Sequence, residues 1–313
     1  MDDILFITSF FMLFYGGELL VRSSVGLSLR FRISELVIGL TVVSFATSAP
    51  ELFISIQSTL QSLDDITLGN VIGSNIANIT LVLGITSILT RINITKQTLT
   101  LNFPVMIFST IIFSLLLYYL CVINIFIGIL FVIFLGIFIY YLIKSSKRNY
   151  NNFMGTEFKE KHSNESIFLT LFNLTLGVFL LSFGSNFLIN GVERIAELYN
   201  ISERLISISI VAFGTSIPEL ATSIVAAIKK HSNLAIGNLI GSNIFNILAV
   251  IGITSIVSPI ELIDKNILLD LIWMICSMLL LGFFIYFYNK NSLGRIQGFF
   301  LLVFYVFYIF IIY

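Results

Sequence analysis

Glu51 and Glu219 each sit inside an apolar stretch, and each closes the same short motif, Thr-Ser-x-Pro-Glu. The first copy is Thr47, Ser48, Pro50, Glu51 and the second is Thr215, Ser216, Pro218, Glu219. A carboxylate within an apolar span is costly and by default marks a functional site. The prolines matter as much. Lacking an N–H, Pro50 cannot bond the carbonyl of Ala46, nor Pro218 that of Gly214, and each ring disturbs the turn before it. Carbonyls released in this way are hard oxygen ligands where they line a cavity.

A second motif, Gly-Asn-x-Ile-Gly-Ser-Asn-Ile-x-Asn, also occurs twice. Ser74 and Asn78 are four apart and so share one helix face, as do Ser242 and Asn246. Gly69, Gly73, Gly237 and Gly241 would let helices approach closely, as small residues do at membrane interfaces. The carboxylates of Glu51 and Glu219, the hydroxyls of Thr47, Ser48, Thr215 and Ser216, and the amide oxygens of Asn78 and Asn246 are all hard donors. With no thiolate or imidazole among them, the set suits Na⁺ or Ca²⁺ and argues against zinc or copper. Two carboxylates carry a charge of about −2, which one Ca²⁺ neutralises. Unoccupied and close together they repel, so a proton or Na⁺ should replace a departing Ca²⁺.

The elements that must hold these groups follow from composition. Of 313 residues 57% are hydrophobic and 11% charged, with 31 Phe and a mean hydropathy of +1.01. A soluble domain carries about a quarter charged residues, so this chain cannot cover a water-facing surface. That excludes a cytosolic enzyme, a secreted module and a disordered chain. Formal net charge is zero, which gives no global pull towards nucleic acid or anionic lipid. Cys121 and Cys276 lie in different apolar runs and make neither a disulfide framework nor a metal cluster. Met1-Asp2-Asp3 lacks the positive region of a signal peptide, so the first apolar segment reads as a retained span.

Apolar runs predict spans near 4–29, 35–61, 67–90, 99–119, 122–143, 166–190, 204–229, 234–257, 267–288 and 296–313. Residues 144–165 read as a polar linker between halves 1–143 and 166–313. Alternating sides puts every one of the 17 basic residues on one face except Arg194, Arg204 and Lys265. By the positive-inside rule the linker is cytoplasmic and both termini are outside. An offset of 168 aligns the halves: residues 33–56 lie over 201–224, and 68–88 over 236–256. The same offset puts Gly16 over Gly184. Each repeat holds an odd number of spans, so the second copy is inverted, an arrangement that places substrate near the midplane at the repeat interface. The expected fold is thus an all-α polytopic membrane protein with ten transmembrane helices in two inverted five-helix repeats.

Both motifs resemble the alpha-repeats of the sodium/calcium exchanger branch of the cation/calcium exchanger superfamily, especially its compact prokaryotic members. The resemblance implies exchange of Ca²⁺ for Na⁺ by alternating access, with the first and sixth helices moving across the core. It implies that Glu51 and Glu219 are central acidic ligands shared by the two ions, and that Thr47 and Thr215 add backbone carbonyls to the Ca²⁺ site. Ser48, Ser216, Ser74 and Ser242 would line flanking Na⁺ sites, with the carbonyls of Ser44 and Ala212 outermost, and Asn78 and Asn246 would face the centre. Some relatives, potassium-dependent exchangers included, carry aspartate where this chain has Asn246, which favours potassium independence. Proton-coupled exchangers also belong to the superfamily, so the alternative is a Ca²⁺/H⁺ or other cation/H⁺ antiporter using the same residues.

Beyond Ca²⁺, Na⁺ and the bilayer of a prokaryotic plasma membrane, no cofactor, nucleic acid or obligate protein partner is expected. A channel is disfavoured by the lack of a selectivity-filter loop. An intramembrane enzyme is disfavoured by the lack of HExxH or another nucleophile–base constellation. Glu18 is expected to pair with Arg22 four positions on, Asp64 and Asp65 to cap the third helix, and His162 and His231 to be surface residues.

Overall fold

A computed structural model describes residues 2–153, 166–198, 214–288 and 292–312. The helices are α1 (Asp2–Phe31), α2 (Glu35–Thr47), α3 (Ala49–Leu60), α4 (Asp64–Leu89), α5 (Thr98–Leu120) and α6 (Ile125–Phe153) in the first half. The second half has α7 (Ile167–Leu198), α8 (Ile217–Ile228), α9 (Ser232–Val257), α10 (Ile267–Tyr288) and α11 (Arg295–Ile312). Among the described residues, seven helices are long and apolar enough to cross a membrane, and the bent pair α2–α3 makes an eighth. Helices α8 and α11 are shorter apolar segments. These positions coincide with the runs read from hydropathy, although the first part of the expected span at 204–229 lies outside the described residues. Helix α6 continues through Phe153, so residues 144–153 of the expected linker are helical.

The break between α2 and α3 follows from Pro50. At Ser48 the backbone leaves helical values (φ −84°, ψ 5°), and the two segments meet at 43°. Pro50 falls in the first turn of α3, where its missing N–H leaves no helical bond unmade. Ser216 has the same geometry (φ −85°, ψ 0°) ahead of Pro218 in α8. A second irregularity recurs at the same spacing. Helix α4 widens into a π turn at Asn78–Val82, and α9 does so at Asn246–Ile251. Such turns re-aim the side chains around them and are frequent at functional sites.

Helices α4 and α9 form the centre. Their most apolar stretches are each 83% buried, against 33% for α6 and 22% for α7. The outer helices therefore present their aromatic side chains outward: Phe126, Phe168, Phe299 and Phe310 are all exposed, as lipid-facing residues are. Helix α1 packs along α7, and α2 crosses α9 with backbone against backbone. That crossing requires glycine. A Cβ at Gly39 would lie 2.6 Å from the Leu234 carbonyl oxygen, and one at Gly237 would lie 2.6 Å from that of Leu36.

Two short antiparallel strand pairs join the halves. Strand β1 (Ile92–Asn93) pairs with β4 (Ser292–Leu293), and β2 (Val122–Ile123) pairs with β3 (Ile260–Glu261). Asp64 and Asp65 lie in the first turn of α4, but their carboxylates bind the chain after α9. Asp64 Oδ2 accepts the Glu261 N–H at 3.0 Å, and Asp65 Oδ1 accepts those of Ile263 and Asp264 at 3.3 and 3.1 Å. Glu18 accepts a hydrogen bond from Lys229 at 2.5 Å. His231 is no isolated surface residue, because its Nδ1 lies 2.9 Å from Glu35 Oε1. His162 lies outside the described residues.

Candidate ion-binding site

The two proline breaks and the two π turns deliver the repeated motifs to one buried region. Glu51 enters from the first turn of α3 and Glu219 from the first turn of α8. Ser74 and Asn78 come from α4, and Ser242 and Asn246 from α9. All six are fully buried at 0% exposure, and Thr47, Ser48, Thr215 and Ser216 are buried beside them.

Hydrogen bonds cross between the halves. Ser48 Oγ, in the first half, donates to Glu219 Oε1 at 3.4 Å, and Ser242 Oγ donates to the same oxygen at 3.4 Å. Thr47 Oγ1 lies 3.4 Å from Ser242 Oγ, and its counterpart Thr215 Oγ1 lies 2.9 Å from Ser74 Oγ. Each serine of a central helix thus meets the threonine at the opposite half's break. Ser44 Oγ reaches the carbonyls of Gly39 and Asn238 at 2.7 and 2.9 Å, so its hydroxyl is engaged. Its own carbonyl accepts the Ser48 N–H at 2.9 Å and the Thr47 hydroxyl at 3.4 Å. Ala212 lies outside the described residues.

Among the described residues, several oxygens in this region have no hydrogen-bond partner. They are both carboxylate oxygens of Glu51, Oε2 of Glu219, Oγ of Ser216, and Oδ1 of Asn78 and Asn246. Leaving a buried polar group unpaired costs about 1–3 kcal/mol, and more for a charged one. A group of such acceptors, two of them carboxylates, is favourable when a cation is shared among them. The chemistry is that of a hard cation. Among the described residues, no three or more His, Cys, Asp or Glu side chains converge, which leaves no donor set for a soft transition metal. Cys121 and Cys276 are free and exposed.

The two halves differ in detail. Glu219 is tied through Oε1 by Ser48 and Ser242, whereas neither oxygen of Glu51 is bonded and Ser216 Oγ has no partner. Around them stands a layer of asparagines that motif reading left unassigned. Asn70 Nδ2 donates to the Glu51 carbonyl at 3.3 Å and to Ser55 Oγ at 3.2 Å. Its counterpart Asn238 donates to Ser223 Oγ at 3.3 Å and accepts from Thr47 at 3.2 Å. Asn246 Nδ2 donates to Asn75 Oδ1 at 3.2 Å, which turns Asn246 Oδ1 into its partnerless position. The signal for these residues was available, since Asn70 and Asn75 recur unchanged at Asn238 and Asn243.

Asn75 is therefore a positioning residue for Asn246. Asn75→Ala removes the hydrogen bond that holds Asn246, worth about 0.5–1.5 kcal/mol, together with the Asn75 Nδ2 contacts to the Asn243 carbonyl and Met274 Sδ, so Ca²⁺ affinity should fall roughly 2- to 10-fold. The Ca²⁺ dependence of the unfolding temperature measures it. An unchanged dependence would mean that the Asn246 amide is held by other contacts.

The chain is similar to known proteins along both halves. The profile of the family described as sodium/calcium exchanger protein matches residues 4–144 and 169–313. The chain is 35% identical to the putative antiporter CaxA of Alkalimonas amylolytica over 253 residues, 79% of this chain and 78% of that one. It is 26% identical to the sodium/calcium exchanger MaX1 of Methanosarcina acetivorans, over 93% of this chain and 92% of that one. A solved structure of the sodium-calcium exchanger NCX_Mj superposes with a TM-score of 0.82 at 28% identity, covering 98% of this chain and 97% of that one. An all-α polytopic membrane protein matched along both halves in this way belongs to the sodium/calcium exchanger family, in its compact prokaryotic form, as a cation/Ca²⁺ antiporter.

Proposed function

We propose that this chain exchanges Ca²⁺ for Na⁺ across a prokaryotic plasma membrane, the two ions competing for one oxygen-lined site. The observation that carries the reading is the pair Glu51 and Glu219. Both are fully buried, each enters from a proline break in a different half, and three of their four carboxylate oxygens lack a hydrogen-bond partner. In this reading the Glu51 and Glu219 carboxylates and the Thr47 and Thr215 carbonyls hold Ca²⁺, with Asn78 and Asn246 facing it. Ser48, Ser216, Ser74 and Ser242 hold the flanking Na⁺ ions, and the carbonyls of Ser44 and Ala212 lie outermost.

The proposed architecture is ten spans in two inverted repeats, 1–143 and 166–313, joined by the cytoplasmic linker 144–165 with both termini outside. The α2–α3 pair counts as one span, α8 with the residues before it as the seventh, and α11 as the tenth. Cross-half contacts support the alternation. If each span crosses once, β1 and β4 share the cytoplasmic face, as do Ser34 with Ser146 and Glu35 with His231. Strands β2 and β3 then share the opposite face with Asp64 and Asp65.

Exchange follows from charge. Bound ions neutralise Glu51 and Glu219 and permit α1 and α7 to shift across the core, whereas an empty site leaves two like charges buried together and resists the passage. Neither ion then crosses without a return load. The test is Ca²⁺ uptake by Na⁺-loaded proteoliposomes diluted into Na⁺-free, K⁺-free buffer, with pH equal on both sides. Uptake should require the Na⁺ gradient. Uptake driven by a pH gradient and indifferent to Na⁺ would assign the same site to Ca²⁺/H⁺ exchange instead.

A further inference from the structure

A cavity of about 620 Å³ lies far from the buried carboxylates in sequence, between the last turn of α4 and the start of α11. Ile88, Leu89 and Ile296 give it apolar walls, and Arg91, Arg295 and Tyr288 stand around it. Arg91 is held in place because its Nε and Nη2 donate to Ser292 Oγ at 3.1 and 2.7 Å, and Ser292 is itself paired in the β1–β4 ladder. This leaves Arg91 with N–H groups to spare, since a guanidinium carries five. Arg295 is the first residue of α11, and that helix has no acidic residue in its first turn. Helix N-termini carry partial positive charge and favour an anion; here an arginine adds to that charge. Among the described residues, no carboxylate pairs with either arginine.

We propose that this groove binds the phosphate headgroup of an anionic phospholipid, held between Arg91 and Arg295, with its acyl chains running along Leu89 and Ile296. Charge complementarity selects the anion. The apolar walls select a lipid over a free phosphate, because Leu89 and Ile296, which line the cavity, are themselves 52% and 58% exposed, and Phe299, one turn further along α11, is 59% exposed. Basic pockets between transmembrane helices recognise anionic headgroups in this manner, and aromatic residues such as Tyr288 sit at headgroup level. The site shares no residue with the proposed ion pathway and does not depend on which cation is exchanged.

The experiment is native mass spectrometry of the detergent-purified full chain offered phosphatidylglycerol or phosphatidylcholine with identical acyl chains. Phosphatidylglycerol should be retained preferentially, and each lost arginine should reduce that preference about fivefold. R295Q and R91Q/R295Q are the informative variants. The Arg295 side chain makes no hydrogen bond among the described residues, so R295Q alone decides if loss of the Arg91–Ser292 tie disturbs folding. K144Q/K147Q removes two charges elsewhere and should leave the preference intact. A preference that survives R295Q and R91Q/R295Q would overturn the proposal, as would an equal loss in K144Q/K147Q. Displacement of phosphatidylglycerol by excess inorganic phosphate would overturn the lipid and leave a free-anion site.

Discussion

Glu51→Gln and Glu219→Gln should each abolish Ca²⁺ uptake while leaving a folded protein. Each change keeps the shape of the side chain and removes one of the two buried charges that face the proposed ion. Breaking one partner of a buried charge interaction costs about 3–5 kcal/mol, so Ca²⁺ affinity should fall more than about a hundredfold. Stability should move in the opposite sense to function. In ion-free buffer each variant loses like-charge repulsion at no loss of a hydrogen bond for Glu51, whose carboxylate oxygens have none. Its unfolding temperature should therefore equal or exceed that of the parent chain. Adding Ca²⁺ at about a hundred times the dissociation constant should stabilise the parent chain by about 2.7 kcal/mol and either variant hardly at all. Normal flux in both variants would remove the site assignment, whereas lost flux with collapsed stability would show that these glutamates serve the fold.

The second large effect concerns the crossing of α2 and α9. Gly237→Ala puts a methyl 2.6 Å from the Leu36 carbonyl oxygen, and Gly39→Ala puts one 2.6 Å from that of Leu234. Because each obstacle is backbone, a helix must move, at a cost of roughly 1–3 kcal/mol or more. An unfolding temperature lower by about 5 °C is expected for either variant, with a smaller monodisperse fraction on size-exclusion chromatography. Gly69→Ala is the control within the same motif. Among the described residues a Cβ there meets nothing within 4 Å, so its effect should stay within about 0.5 kcal/mol. Equal damage at Gly69 and Gly237 would mean that the close approach at α9 is not what the glycine serves.

This pair also marks where the sequence stops being informative. Gly69 and Gly237 occupy the same place in the repeated motif, and periodicity assigns them one role. Their surroundings differ among the described residues, where a Cβ at Gly237 meets the Leu36 carbonyl and one at Gly69 meets nothing within 4 Å. Gly39 faces Gly237, while 168 residues beyond Gly39 the chain has Ser207. A repeat in letters guarantees the same local chemistry but not the same neighbours. Local chemistry was accordingly legible: the proline breaks at Ser48 and Ser216, the apolar runs, and the burial of Glu51, Glu219, Ser74, Ser242, Asn78 and Asn246 all follow from residue type and spacing.

What depends on contacts between distant segments was not. Nothing in the spacing says that Asn75 orients Asn246, that His231 meets Glu35, or that Asp64 and Asp65 hold the chain after α9 rather than capping α4. Glu18 meets Lys229, and helical spacing could offer only a neighbour such as Arg22. The extension of α6 was hidden for a different reason. Residues 144–153 are polar, which reads as loop, yet a helix already nucleated extends at little cost. Ser146 in this extension also accepts the Ser34 N–H at 2.8 Å.

The strand pairs have a consequence for biogenesis. Strand β1 ends at residue 93 and its partner β4 begins at residue 292, so the ribosome makes one about 200 residues before the other. At roughly 5–20 residues per second, the wait lasts on the order of 10–40 s. The α2–α9 crossing imposes a similar delay, because Gly39 must await Gly237. Throughout that interval the first half is in the membrane with a buried carboxylate, unpaired strand edges and a glycine face open. The translocation machinery, rather than the chain's own packing, must shelter it until the second half arrives.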